Sequence, residues 1–114
     1  MDMSSSQAGN ALVIKVDETR IDASVAVQFK DKMKAMSGHR PRQVVLDLSN
    51  VEFVDSSGLG AIVGAMKTLG RGRRLDLAGL SPAVDKVFKM TRMNSVFQIF
   101  DTVDAAVEDI ADAS

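Results

Sequence analysis

The chain has 114 residues, a formal net charge of −1, 46% apolar and 25% charged residues, and no cysteine. That is enough chain for one core, and the composition is that of an ordinary globular domain. It argues against disulfides, thiolate chemistry, a transmembrane span and nucleic-acid binding through a basic face. The missing thiols fit a reducing cytoplasm.

The opening segment, Met1-Asp2-Met3-Ser4-Ser5-Ser6, lacks the basic and apolar regions of a signal peptide. It reads as a flexible lead over residues 1–9, ahead of one domain over residues 10–114. Ala11-Leu12-Val13-Ile14-Lys15-Val16 predicts a strand, and Asp17-Glu18-Thr19-Arg20 a polar break. Val25, Phe29, Met33 and Met36 recur at helical spacing, with Asp22 or Ser24 as a candidate cap and Gly38 beyond the end. Val44 to Leu48 is almost entirely apolar, as in a strand covered on both faces.

After the turn Asp55-Ser56-Ser57-Gly58, a second stripe runs through Leu59, Ile62, Val63, Met66 and Leu69. Gly60 and Gly64 lie one turn apart on that helix, which suggests close packing there. Leu75, Leu77 and Ala78 mark another strand. Ser81-Pro82 starts a helix, with the hydroxyl as cap and proline in the first helical position. Its buried face is Val84, Val87 and Phe88. Val96 to Phe100 predicts a last strand, and Asp101-Thr102 opens a helix with Val103, Ala106, Val107 and Ile110 on its apolar face. From residue 43 onward strand and helix alternate, which implies an α/β fold with a mostly parallel sheet.

The stretch Asn50-Val51-Glu52-Phe53-Val54-Asp55-Ser56-Ser57-Gly58-Leu59-Gly60 carries the functional information. It sets two hydroxyls, one carboxylate and two glycines at the mouth of a helix. No base lies nearby to activate a serine nucleophile, so the arrangement does not read as an enzyme. A reversible charge is well placed here, because free N–H groups and the positive dipole end tolerate a phosphate. The plainer reading makes Asp55, Ser56 and Ser57 helix caps. The local pattern alone leaves cap and switch evenly matched.

The block from Val44 to Gly60 resembles the signature of the STAS family, whose small single-domain members are anti-sigma factor antagonists. Leu75 to Val84, Val96 to Asp101 and the pair Ile21-Asp22 extend the resemblance over roughly residues 10–112. Thr19-Arg20 departs from it, standing where many members have Gly-Glu. The resemblance implies a four- or five-stranded, mostly parallel sheet with helices packed mainly on one face. It also implies that Ser57 is phosphorylated, with Ser56 as runner-up. The implied partner-binding face comprises Asp22, Asp55, Ser56, Ser57, Gly58, Leu59 and Gly60. The implied partners are a serine kinase that doubles as an anti-sigma factor, and a metal-dependent serine phosphatase. The chain itself would need no cofactor or metal and no membrane insertion. Two other readings stay open. One is a non-switching docking subunit of a membrane transport or sensory assembly, and the other is a nucleotide-binding module.

Other features are weaker. His39 lies in a polar loop without companions for a metal site. Lys67, Arg71, Arg73 and Arg74 cluster at a helix end, where positive charge complements the dipole. Met33, Met36 and Met66 fall on core stripes, whereas Met90 and Met93 are left unassigned.

Overall fold

The computed structural model describes residues 1–38 and 41–113, with side chains through Asp109. His39 and the side chain of Ile110 lie outside these limits. The elements in chain order are β1 (Met3–Ala8), β2 (Ala11–Val16), β3 (Arg20–Ile21), α1 (Ala26–Ser37), β4 (Gln43–Asp47) and β5 (Phe53–Val54). They continue with α2 (Ser56–Leu69), β6 (Arg74–Ala78), α3 (Pro82–Met90), β7 (Ile99–Phe100) and α4 (Val103–Ala113). The main sheet has five strands in the order β1-β2-β4-β6-β7, and β3 and β5 form a separate parallel pair. Only β1 runs antiparallel to its neighbour; the β2–β4, β4–β6 and β6–β7 pairings are parallel.

Alternation along the strands splits the core between the two faces of the sheet. Ile14, Val16, Val44, Leu46, Leu75 and Leu77 join Phe29, Met33, Ala61, Ile62, Val84 and Phe88 in the larger core, under α1, α2 and α3. Ala11, Val13, Val45 and Ala78 meet Ala106 on the other face, where α4 lies. The helices are thus mainly on one face, as expected, with one exception.

Gln43 and Asp76 are buried on the α4 side of the sheet. The Gln43 amide donates to Asp76 Oδ2 and to the Ala106 carbonyl, both at 2.8 Å. Arg74 closes a two-point contact on Asp76, with Nε 3.0 Å from Oδ1 and Nη2 2.9 Å from Oδ2. A buried carboxylate is tolerable only with such donors around it. The network ties strands β4 and β6 to α4.

Three expectations need correction. The flexible lead over residues 1–9 is instead largely strand β1, which pairs with β2 through a tight hairpin, Ala8 opposite Ala11. Gly9, at φ 58°, supplies the left-handed turn residue such a hairpin needs. The strand expected over Val96–Phe100 is confined to Ile99–Phe100. Upstream, the N–H groups of Val96 and Phe97 both donate to the Met93 carbonyl, which holds them in a turn. Phe97 is buried because it meets Phe88 edge-on at 6.0 Å, not because it pairs in the sheet. Neither Asp22 nor Ser24 caps α1: its N-cap position is Val25, without a side-chain bond.

The end of α1 is satisfied from elsewhere. Arg73 donates from Nη2 to Ser37, from Nη1 to Gly38 and from Nε to Pro41, at 2.7–3.0 Å, in each case to the backbone carbonyl. The basic cluster therefore serves a helix C-terminus, but partly that of α1 rather than α2. Met33 is buried, Met36 and Met66 pack against the larger core, and Met90 is 73% exposed.

Candidate functional site

Strand β5 runs through Val54 into Asp55 and the first turn of α2. Strand β3 lies beside it, with Arg20 opposite Phe53 and Ile21 opposite Val54. Ile21 and Val54 are buried and fix this short ribbon to the core. The segment after β3 is thereby brought against the start of α2.

Asp55 joins the two segments. Its backbone is extended, and its Oδ1 accepts from the Gly58 N–H at 2.8 Å, the bond of a helix cap. Its Oδ2 accepts from the Ala23 N–H at 3.2 Å, and its own N–H donates to the Ile21 carbonyl at 3.4 Å. One carboxylate thus closes the helix and pins the neighbouring loop. Gly58 is buried against β3: a Cβ there would lie 1.9 Å from the Ile21 carbonyl oxygen. No side chain fits without moving that backbone.

Ser56 and Ser57 occupy the first two helical positions and are exposed. Neither hydroxyl makes a hydrogen bond among the described residues. The cap role is filled by Asp55, so both serines are free for another use. Leu59 is half-buried against the larger core. Gly60 is exposed, and a Cβ there would have no neighbour within 4 Å. The close packing expected at both glycines is found only at Gly64, where a Cβ would come 3.2 Å from Lys30 Cε on α1.

Asp22 belongs to the same surface. Its Oδ1 accepts from the Ser24 hydroxyl at 2.5 Å and the Ser24 N–H at 3.1 Å. Its Oδ2 accepts from Arg20 Nε at 3.2 Å. The Ser24 hydroxyl, and after it Arg20, hold the Asp22 carboxyl below the usual carboxylate range. The Arg20 guanidinium lies over the Phe53 ring, 4.5 Å from its centroid. Sequence reasoning missed this pair, because partners across two-residue strands leave no periodic signal.

A groove of about 670 Å³ runs beside α3 and β7, with Asp85, Lys89, Phe97 and Asp101 among its lining residues. It shares no residue with Asp55–Gly60, so the serines present an open surface and not the wall of that groove. Among the described residues no helix is long and apolar enough to cross a membrane.

The family model described as STAS domain matches residues 2–106. The chain belongs to the STAS family. An anti-sigma-B factor antagonist of Listeria monocytogenes is 34% identical to this STAS domain over 80 residues, 69% of this chain and 70% of that one. An anti-sigma-factor antagonist (STAS) domain protein from Planctomyces limnophilus superposes with a TM-score of 0.88 at 24% identity, covering 97% of this chain and 99% of that chain. The Bacillus cell fate determinant SpoIIAA in its phosphorylated form shares the fold, with a TM-score of 0.68 and 21% identity over 96% of this chain and 99% of that one. The curated relatives are anti-sigma-B factor antagonists by name, and the fold with its five-stranded, mostly parallel sheet is shared with solved STAS structures.

Proposed function

We propose that this STAS domain is a cytoplasmic anti-sigma factor antagonist that works by partner switching. Unphosphorylated, it binds a serine kinase that doubles as an anti-sigma factor, and so frees that protein's other target. The kinase, with its own ATP and magnesium, phosphorylates Ser57 and the complex separates. A metal-dependent serine phosphatase restores the binding form. The domain contributes no catalysis of its own.

One observation carries this reading. Asp55 makes the α2 cap, which leaves the Ser57 hydroxyl exposed and, among the described residues, unbonded at a helix N-terminus. Phosphoserine brings about −1.5 to −2 charges and three acceptor oxygens. The helix start tolerates that charge in the free domain. A partner lying over Asp22, Asp55, Ser56, Ser57, Gly58, Leu59 and Gly60 does not, because the phosphate must be desolvated beside existing carboxylates. Such a clash weakens binding on the order of 10²–10³-fold. The names of the relatives and the phosphorylated state of SpoIIAA support the same reading.

The test begins with affinity capture by the unphosphorylated chain, followed by purification of the captured kinase. Incubation with that kinase and ATP should place phosphate on Ser57, and Ser57→Ala should take up none while remaining folded. Affinity for the kinase should fall in the order wild type, Ser57→Asp, phosphorylated protein, chiefly through faster dissociation. Phosphate mapped outside the loop, or unchanged affinity after phosphorylation, rejects the proposal.

A further inference from the structure

We infer that Arg20, braced on Phe53, is a carboxylate-binding anchor that selects which partner docks beside the Ser57 loop. This rests on the partner-switching reading and adds the chemistry of the partner's surface. The observations concern one guanidinium. Its Cζ lies over the Phe53 ring, 4.5 Å from the centroid, and its Nε is held by Asp22 at 3.2 Å. It is nevertheless on the surface, with the Arg20 side chain 60% exposed. Phe53 is 42% exposed, so the ring and the guanidinium over it both stand on the surface. Among the described residues the terminal nitrogens, Nη1 and Nη2, make no hydrogen bond; the one bond of the guanidinium is from Nε to Asp22.

A free arginine side chain loses much rotamer freedom when it binds. Here the ring and Asp22 have already removed part of that freedom, so the binding cost is lower. The open end of a guanidinium is a planar pair of donors that matches a carboxylate in a two-point contact. Arginine and aromatic residues are also the types that dominate interface energetics. The pair adjoins the proposed docking face directly, since Phe53 precedes Val54, Asp55 and the serines in the chain.

Charge around it defines the complement. In the two flanking segments, residues 17–24 and 50–60, Asp17, Glu18, Asp22, Glu52 and Asp55 are acidic and Arg20 is the sole cation. Within these two segments an acidic partner surface would be repelled except at Arg20. The fitting partner is therefore a largely basic protein surface that carries one carboxylate opposite Arg20. A partner with its carboxylate elsewhere, or a cation at that point, meets like charge and is rejected.

The probe is the kinase captured and purified as above, titrated with unphosphorylated variants whose folding is checked by thermal melting. Arg20→Ala should weaken binding about 10- to 100-fold, mostly in dissociation rate. Arg20→Lys keeps the charge but not the fork and should recover less than half of that loss on a logarithmic scale. Phe53→Leu should weaken binding roughly 2- to 10-fold by releasing the guanidinium. Arg20→Glu should be restored by exchanging one Asp or Glu of the kinase for Arg, which would locate the opposing carboxylate. If Ser57→Asp weakens binding while Arg20→Ala stays within about twofold of wild type, the anchor is wrong and the switch stands. If neither substitution weakens binding, or no kinase is captured, the partner-switching reading fails and the anchor with it. If Arg20→Ala leaves binding intact but shifts the phosphorus resonance titration of phosphorylated Ser57, Arg20 serves the domain's own phosphate, and the proposal is overturned.

Discussion

Gly58 lies so close to Ile21 that a Cβ on the glycine would stand 1.9 Å from the Ile21 carbonyl oxygen and 2.7 Å from its carbonyl carbon. The contact sets the distance between the β3–β5 ribbon and the first turn of α2. Backbone on one side and helix on the other leave no flexible group to yield. Gly58→Ala should destabilise the domain by about 3 kcal/mol and lower its melting temperature by roughly 10 °C or more. Thermal unfolding checks the first effect. A shift in the amide resonances of Ile21 to Ala23 would show that the strain is released into that segment.

Asp55→Ala should cost about 1–2 kcal/mol, because it removes the α2 cap and the bond to Ala23 together. Asp55→Asn keeps one good cap acceptor and should fall between the alanine variant and wild type. Urea unfolding gives the order. Amide exchange should accelerate at both Gly58 and Ala23 in the alanine variant; acceleration at Gly58 alone would show that the Ala23 bond contributes nothing.

Asp76→Ala should cost about 3 kcal/mol, since it deprives Arg74 of its two-point partner and takes one acceptor from the buried Gln43 amide. The damage should be felt at α4, whose Ala106 carbonyl shares that amide. Amide exchange is therefore expected to rise in α4 and the edge of β4 before it rises in α1. Uniform loss of protection across the domain would contradict this.

The Asp22 carboxyl is held below its usual range by the Ser24 hydroxyl and then by Arg20. A carboxyl whose folded value is depressed stabilises the fold above the unfolded value and loses that contribution as pH falls through the folded one. The effect therefore belongs to the acid limb, below about pH 4. Ser24→Ala should move the Asp22 titration upward, with a smaller rise for Arg20→Ala. Carboxyl-carbon resonances followed against pH measure both; a downward movement in either variant would contradict the assigned causes.

Local chemistry made most of the elements legible. Ser81-Pro82 announced α3 because cap and first-turn preferences coincide there, and Ser81 does accept from the Val84 N–H. The alternation from residue 43 onward exposed the parallel sheet because crossover helices leave a periodic stripe. Strand β1 was hidden because Ser4 to Gln7 lie on an exposed edge where polar residues cost little. Its one readable sign was Gly9-Asn10, a dipeptide suited to a two-residue hairpin. Phe97 misled in the opposite direction, being apolar for the sake of Phe88. At the site, the residues between Asp55 and Gly60 were legible as a turn and a helix start. The bond from Ala23 to Asp55 and the stacking of Arg20 on Phe53 were not, since both join segments more than thirty positions apart in the chain.

The division of labour between Asp55 and its neighbours has a kinetic consequence. Since the carboxylate holds the helix end and the exposed hydroxyls bond to none of the described residues, a reagent or enzyme reaches Ser56 and Ser57 without any local opening of the fold. Chemistry at these oxygens therefore proceeds at a rate set by encounter with the native domain, not by how often the domain breathes. Core substitutions that shorten the lifetime of the folded state will leave that rate nearly unchanged until the unfolded population itself becomes appreciable.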